Sequence, residues 1–274
     1  MSETQLTPEM EALKGGMKAT WEAGDFGVIA KALVEGSEAL VNRLGIGAGM
    51  KVLDVACGTG NTALPAARKG ADVTGIDIAE NLIEQAKANA AVEGLDAKFE
   101  VGDAEDLPYE DESFDAIVTQ FGAMFAPRPE VIVSEFKRVC KSGGLIAMGN
   151  WTPEAFTGQM FKIGAKHVPP PPGIAPPVMW GDEATVRERF ADGISNLELN
   201  RIKITFRFDM PPAEVVETFR KYFGPVNVGF SKLDEAGQAA LRQDLVDLWT
   251  SHNKATDGTT EVESEYLEVR ATKA

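Results

Sequence analysis

The chain has 274 residues, of which 44% are hydrophobic and 25% charged, and its formal net charge at pH 7 is −15. This length suits one large α/β domain or two small ones, and the apolar fraction excludes wholesale disorder and a fibrous protein. The 42 acids outnumber the 27 bases, which disfavours nucleic acids and anionic membrane surfaces as partners. We therefore expect a small-molecule substrate, no nucleic acid and no membrane.

Cysteine and histidine are scarce in this chain. Two cysteines cannot build a disulfide framework, which favours a reducing, cytoplasmic location. Cys57, Cys140, His167 and His252 lack the paired spacing of zinc ligands, so no metal site is expected. The N-terminus lacks the charged-then-apolar pattern of a signal peptide, and no apolar run approaches the ~18 residues of a membrane span.

Short apolar runs alternate with helical patterns from residue 51 onwards. The predicted elements are, in chain order, strands at 51–55, 71–76, 97–101, 114–119 and 144–149, and helices at 62–69, 80–93 and 130–140. Strands separated by helices at this spacing predict right-handed crossovers and a mostly parallel sheet. Because the runs lack polar alternation, we expect the strands to be buried on both faces.

The clearest motif is the glycine loop VLDVACGTGN, residues 52–61, which follows a strand and opens a helix. Gly58 and Gly60 let the backbone approach a ligand closely. Together with Ala63 they also satisfy the dinucleotide fingerprint G-x-G-x-x-A, so a nicotinamide-dependent oxidoreductase is the alternative. Asp54, just ahead of the loop, would repel a pyrophosphate but suits an ammonium and a sulfonium. S-adenosylmethionine carries both groups.

Two further carboxylates follow the next two strands. Asp77 ends the second strand, at the sheet edge where a carboxylate can accept both hydroxyls of a ribose. Asp103 is the first acid of an acidic stretch, residues 102–115. Its carboxylate could accept a hydrogen bond from an adenine amino group, with the Ala104 backbone beside it. An acidic surface loop is the alternative for this stretch, but three carboxylates in this order favour a cofactor site.

With these motifs in order, the chain resembles the class I S-adenosylmethionine-dependent methyltransferases, and most of all their ubiquinone and menaquinone C-methyltransferase branch. The similarity covers residues 51–151 and includes SFDAIVTQFGAMF and FKRVCKSGG. It implies an α/β fold with a doubly wound, Rossmann-like, mostly parallel seven-stranded sheet of order 3-2-1-4-5-7-6, the last strand antiparallel. Strands six and seven would be residues 197–208 and 262–271. Ala56 stands where this family often has its first loop glycine.

The resemblance also implies a single methyltransferase domain over residues 1–274. We expect an N-terminal helical cover over 1–48 and a cofactor-binding core over 49–151. Two helical insertions on the substrate side would occupy 152–181, which contains a proline-rich run, and 210–258, which contains two helical patterns. A non-catalytic cofactor-binding protein of the same fold stays open as an alternative, and so does a homodimer.

Individual residues receive roles from the same resemblance. Asp54 and the Ala56 carbonyl would hold the methionine ammonium, and Asp77 would hold the ribose. The other cofactor-binding residues that it implies are Trp21, Gly58, Gly60, Asn61, Ile78, Asp103, Ala104, Gln120 and Phe121. For Trp21 the alternative is simple packing of its helix onto the sheet.

Methyl transfer is an in-line displacement, in which the enzyme aligns the reactants and excludes water. A base is needed only when the acceptor must lose a proton. His167 is the candidate catalytic residue because it lies in an insertion expected to cap the pocket, although a solvent-facing histidine is the alternative. Met and aromatic residues suit a hydrophobic or aromatic acceptor, and the expected substrate pocket comprises Phe125, Trp151, Met160, Trp180 and Phe223.

Overall fold

In the computed structural model, which describes residues 7–171 and 173–274, seven strands form one sheet of order β3-β2-β1-β4-β5-β7-β6. They are β1 (Lys51–Val55), β2 (Asp72–Asp77), β3 (Ala97–Val101), β4 (Phe114–Gln120), β5 (Cys140–Trp151), β6 (Ile194–Phe208) and β7 (Thr260–Lys273). The first five run parallel, and β7 is antiparallel to both β5 and β6. The predicted fold class, strand order and antiparallel last strand are confirmed.

Helices connect the strands and flank both faces of the sheet. They are α1 (Pro8–Glu22), α2 (Phe26–Ala30), α3 (Val34–Arg43), α4 (Ala63–Arg68), α5 (Glu80–Glu93), α6 (Pro129–Val139), α7 (Phe156–His167), α8 (Glu183–Arg189), α9 (Pro212–Tyr222), α10 (Gly224–Ser231) and α11 (Glu235–His252). Helix α5 has the predicted bounds. No helix within the described ranges 7–171 and 173–274 combines the length and apolarity needed to cross a bilayer.

Successive side chains of the central strands point to opposite faces of the sheet, and each face packs into its own apolar core. On one face Val52 and Val118 pack with Leu40 and Val41 of α3. On the other, Leu53, Ile117 and Ile146 pack with Phe136 of α6. Each fully buried side chain of this kind stabilises the fold by about 1.5–3 kcal/mol. The strand ends that follow these cores are therefore held rigidly.

Both helical patterns predicted in residues 210–258 form helices, α9 and α11, and a further helix that was not predicted, α10, lies between them. Helix α10 begins at Gly224 with a proline in its first turn, a position that proline favours. Its eight residues, GPVNVGFS, carry no amphipathic period, so no helical pattern marked it. Short helix α8 was not predicted either.

The two insertions pack against each other beside β6 and β7. Trp249 of α11 meets Phe156 of α7 edge-on, with ring centroids 4.5 Å apart. The second insertion also holds the turn between α1 and α2, because the Asp25 N–H donates to the Tyr222 carbonyl at 3.0 Å. The division of the chain into cover, core and substrate-side insertions stays a prediction, and its residues 1–6 and Pro172 lie outside the described residues.

Candidate functional site

A cavity lies at the edge of the sheet where β1, β2, β3 and β4 end. The segments after these strands form one side of it, and residues of the first three helices form the other. Its empty volume is about 1020 Å³ with the open mouth included, at the upper end of the range of small-molecule sites. All the predicted cofactor-binding residues except Gly60 line it: Trp21, Asp54, Ala56, Gly58, Asn61, Asp77, Ile78, Asp103, Ala104, Gln120 and Phe121.

Asp54, in β1, is a buried carboxylate that lacks a full set of partners. It is 1% exposed, and its Oδ2 has no hydrogen-bond donor among the described residues. Burial raises the pKa of this carboxyl well above its ordinary value; the Ala63 N–H opposes that shift and the nearby Asp77 adds to it. Burying an acceptor oxygen without a hydrogen-bond donor costs free energy. A cationic ligand that donates to this oxygen would offset that cost.

Asp77, at the end of β2, links the glycine loop to the loop that follows β2 through hydrogen bonds. Its Oδ2 accepts from the Gly58 N–H at 2.8 Å, and its Oδ1 accepts from the Ala79 N–H at 2.9 Å. Burial raises the pKa of Asp77, although the N–H groups of Ala79, Gly58 and Ile78 oppose the shift. Since a carboxylate has about four lone-pair sites, both oxygens can still accept from a ligand while they hold the glycine loop.

Asp103 belongs to a buried ionic network that joins α1 to the acidic loop. Lys14 Nζ lies 2.5 Å from Asp103 Oδ2 and 2.6 Å from Glu105 Oε2. Glu105 also accepts from the Arg128 Nε at 2.8 Å and from the Arg128 N–H at 2.6 Å. The Lys14 residue is only 8% exposed, so the network fixes α1 over this end of the cavity.

Gln120 ends β4 and meets α3 across the cavity wall. Ser37 Oγ donates to Gln120 Oε1 at 2.6 Å, and the serine is 1% exposed. The amide nitrogen, Gln120 Nε2, is buried and has no acceptor within the part of the chain that the structure describes. The cavity therefore holds one unpartnered acceptor, on Asp54, and one unpartnered donor, on Gln120.

Two residues at the cavity have left-handed backbones that only glycine adopts easily. Ala56 has a φ of 54° and Phe121 a φ of 60°. Such conformations cost about 1–3 kcal/mol and concentrate at functional sites. The Phe121 ring stacks on Trp151 with centroids 3.7 Å apart and planes at 6°, which holds this turn in place.

Aromatic and other apolar residues form a further part of the wall. Trp21 meets Phe26, Phe125 and Phe223 edge-on at 5.8, 5.1 and 5.9 Å between centroids. Trp21 thus lines the cavity and also packs its helix, and its contact with the cofactor stays a prediction. Met17, Phe125 and Pro127 complete this apolar end.

The other predicted substrate residues lie further from the cavity. Trp151 and Phe223 stand one layer behind it, against Phe121 and Trp21 respectively. Met160 and Trp180 are buried in the core and are not among the described lining residues.

His167 ends α7, where its Nε2 lies 2.9 Å from Asp244 Oδ2 of α11. Lys166 Nζ contacts the same oxygen at 2.9 Å, and both neighbours lower the pKa of Asp244. His167 is not among the described lining residues. Its position joins the two insertions, and its catalytic role stays a prediction.

Gly60 lies on the far side of the glycine loop. It lines a second cavity with Lys31 and Arg68, and its φ of 89° is one that glycine accommodates without strain. Gly60 therefore shapes the turn, whereas Gly58 lines the main cavity.

Sequence reasoning missed several residues that the fold brings to the main cavity. Lys14 and Met17 lie on the same face of α1 as Trp21, at spacings of three and four residues, and Ser37 comes from α3. The spacing in α1 was a usable signal. Nothing in the sequence around Ser37 marked it.

Comparison with known proteins shows extensive similarity to methyltransferases. A methyltransferase-domain family matches residues 53–148, the segment that contains Asp54, Asp77 and Asp103. An uncharacterized protein of Mycobacterium tuberculosis is 35% identical over 270 residues, which cover 97% of each chain. A sterol 24-C-methyltransferase of Gibberella zeae is 39% identical over 124 residues, 44% of this chain and 33% of that protein.

A solved structure shares the fold. The crystal structure of the YcgJ protein of Bacillus subtilis superposes with a TM-score of 0.57 at 19% identity, covering 87% of this chain and 98% of that one. At this identity the superposition shows the shared fold alone.

Proposed function

Because the chain belongs to the class I S-adenosylmethionine-dependent methyltransferases, we propose that it methylates a small, apolar or aromatic molecule by in-line displacement. The observation that carries this proposal is the contrast between the two ends of the cavity. Carboxylates lie at one end, with Asp54 Oδ2 unpartnered, whereas Met17, Trp21, Phe125 and Pro127 form an apolar end. A cationic cofactor suits the first end and an apolar acceptor the second.

The residues of the polar end fit S-adenosylmethionine, the cofactor of this family. Asp54 supplies the counter-charge for the methionine ammonium. Asp77 offers its remaining lone pairs to the ribose hydroxyls. The backbone at Ala104 and the Asp103 carboxylate meet the adenine edge, and Ile78 packs on its face. Because Lys14 already holds Asp103, this carboxylate has a fixed orientation before any ligand arrives.

The bound cofactor supplies a methyl group on a positively charged sulfur, which is a good leaving group. The chain's own work is to align the two reactants and to keep water out. Trp21 and Phe125 do both, because their rings form the wall on the acceptor side and can attract a nearby cation through their faces. The titratable groups among the described lining residues are Lys14, Asp54, Cys57, Asp77 and Asp103, and we assign none of them to proton abstraction.

Equilibrium binding tests the cofactor assignment. Titration calorimetry should detect binding of S-adenosylhomocysteine and none of NAD. Binding of NAD alone would favour the oxidoreductase alternative, in which Gly58, Gly60 and Ala63 form a dinucleotide loop. Binding of neither would overturn the proposal.

Transfer of a labelled methyl group tests the acceptor class. The panel of methyl acceptors should contain molecules of similar size that differ in polarity. The rate of methyl transfer should be higher for the more apolar acceptors. A cofactor that binds without methylating any acceptor of a broad panel would favour the non-catalytic alternative. Trp21→Ala should reduce transfer to large apolar acceptors more than it reduces S-adenosylhomocysteine affinity.

The remaining partner assignments are part of the same proposal. The charge of −15 supports a small-molecule acceptor over a nucleic acid or a membrane. The cytoplasmic location, the homodimer and the ubiquinone and menaquinone branch stay predictions.

A further inference from the structure

The second cavity lies directly behind the main cavity, and two elements separate them. The glycine loop forms one part of this partition, because Thr59 and Asn61 line both cavities. Helix α2 forms the other part, with Phe26 on the main cavity and Val28 on the second. The empty volume of the second cavity is about 1090 Å³ with its mouth included, which is enough for a small ligand.

Apolar side chains of the second cavity are unusually exposed. Val34 of α3 and Val92 of α5 line it, although they are 39% and 88% exposed. They are two of the three large apolar side chains that stand out as exposed among the described residues. Val28, Leu64 and Pro65 add to the apolar lining. Because exposed apolar surface at a concavity marks binding sites, these side chains can receive the apolar part of a ligand.

The charged residues of this cavity leave one cation without a partner. The Asp25 carboxylate accepts from a backbone N–H at 3.1 Å, and Arg68 forms an ion pair with Glu93 at 2.6 Å. Lys31, directly after α2, lines the same cavity and forms no ion pair with any residue that the structure describes. One free cation suits a carboxylate, whereas a phosphate monoester carries about two negative charges and calls for more.

The glycine loop is held from both sides of the partition. On the cofactor side, Asp77 accepts from the loop at 2.8 Å. On the other side, Asn89 Nδ2 donates to the Thr59 carbonyl at 3.1 Å, and Asn61 Nδ2 donates to the Ala30 carbonyl at 2.8 Å. A ligand that packs on the loop from behind would restrain it further. The loop would then lose less conformational freedom when a cofactor binds on its other side.

We propose that the second cavity is an effector site for a small amphipathic carboxylate, and that its occupancy strengthens cofactor binding through the glycine loop. Lys31 holds the carboxylate, and the apolar part of the ligand lies against Val34 and Val92. The site itself is independent of the proposed function, whereas the coupling rests on it.

Three six-carbon probes test the choice of head group. Sodium hexanoate, 1-hexanol and hexylammonium chloride share one alkyl chain and differ in charge. Ligand-observed NMR titrations of the full chain should give hexanoate a Kd about three- to tenfold lower than that of either other probe, the scale of an ion pair at a cavity mouth.

Two variants locate the probe in the second cavity. Lys31→Met should remove the preference, so that hexanoate binds no better than hexanol. Val92→Ser should weaken hexanoate and hexanol alike, by about two- to fivefold, because both probes lose apolar contact. Lys232→Met, at an exposed position after α10, is the matched control and should keep the wild-type Kd values. All three positions are exposed, so each variant should unfold in urea at the wild-type midpoint.

Titration calorimetry tests the coupling. Saturating hexanoate should tighten S-adenosylhomocysteine by about fivefold, and S-adenosylhomocysteine should tighten hexanoate by the same factor. Amide hydrogen exchange across residues 58–62 should slow when hexanoate is bound. Lys31→Met should bind S-adenosylhomocysteine as tightly as wild type does and should lose the enhancement by hexanoate.

The outcomes separate this proposal from the proposed function. If the three probes bind equally, or if Lys31→Met keeps the preference for hexanoate, Lys31 does not hold a carboxylate and the site is refuted. If S-adenosylhomocysteine weakens hexanoate, the probe occupies the main cavity, and the site is refuted as well. An unchanged affinity for S-adenosylhomocysteine in the presence of hexanoate refutes the coupling. A protein that binds hexanoate with the expected preference but does not bind S-adenosylhomocysteine would overturn the proposed function and leave the carboxylate site in place.

Discussion

Asp54→Asn should stabilise the free protein and weaken its cofactor binding at the same time. The carboxyl is 1% exposed, and burial raises its pKa well above the ordinary value. A pKa raised by folding means that the folded state favours the protonated form. The Asp54 carboxyl makes its full contribution to the stability of the fold below the ordinary aspartate pKa of about 3.9. That contribution is lost as the pH rises through the pKa that the carboxyl has in the folded protein. The asparagine amide of the variant does not titrate, so Asp54→Asn does not lose stability in this way as the pH rises.

The size of both effects follows from the contacts of Asp54. A buried polar group without a partner costs about 1–3 kcal/mol, and asparagine keeps an amide that is itself imperfectly paired. We therefore expect a gain of about 1 kcal/mol in the free energy of unfolding near pH 8, with a smaller gain near pH 5. Loss of the ammonium's counter-charge should weaken S-adenosylhomocysteine by about 2–3 kcal/mol, roughly 30- to 150-fold.

Urea denaturation and titration calorimetry measure the two quantities. Asp72→Asn is the matched control, because Asp72 is exposed at the start of β2, and it should change neither. Wild-type affinity should also fall as the pH is lowered, because protonation of Asp54 removes the counter-charge of the ligand's ammonium group. If Asp54→Asn is less stable than wild type near pH 8, or binds S-adenosylhomocysteine equally well, the role given to Asp54 is refuted.

Three other substitutions or reactions test neighbouring parts of the site. Asp77→Ala should weaken S-adenosylhomocysteine by about 2 kcal/mol or more, because it removes a charged acceptor and frees the glycine loop; an unchanged calorimetric affinity would contradict this. Lys14→Met should lower the free energy of unfolding by about 1–3 kcal/mol in urea, since it removes the cation that contacts Asp103 and one of the two that contact the buried Glu105, and Lys18→Met, at a half-buried position of the same helix, should lower it far less. Cys57 and Cys140 should resist alkylation by iodoacetamide in the native protein. Burial raises the pKa of Cys57 well above its ordinary value and that of Cys140 to about 11, so few of these thiols are in the reactive thiolate form. Rapid labelling detected by mass spectrometry would count against that burial.

The central fold was predictable because its signals are local. β1 and α5 have their predicted bounds, since each is an apolar pattern between turn residues. The three carboxylates then came together by a general property of parallel sheets, whose strands end at one edge. Asp54, Asp77 and Asp103 could be grouped from sequence without knowledge of any contact.

The other half of the cavity depends on contacts between distant segments, for which the sequence has no local pattern. Lys14 and Asp103 are 89 residues apart, and Ser37 and Gln120 are 83 apart. Which helix covers the cavity is decided by how α1 packs on α10 and on the acidic loop. The insertions illustrate the same limit: their aromatic residues resemble pocket residues in sequence, but Met160 and Trp180 pack in the core.

The loop after β1 shows how a departure from the family pattern is accommodated. The resemblance to the methyltransferase family implies a glycine at position 56, and the φ of 54° of Ala56 is one that glycine adopts without strain. The alanine requires a compensating change of shape nearby. Gly122, after β4, supplies it, since a Cβ there would collide with the Ala56 carbonyl and side chain. Positions 56 and 122 are therefore coupled: Ala56→Gly relieves strain in one loop, whereas Gly122→Ala forces both loops, and the cavity between them, to move.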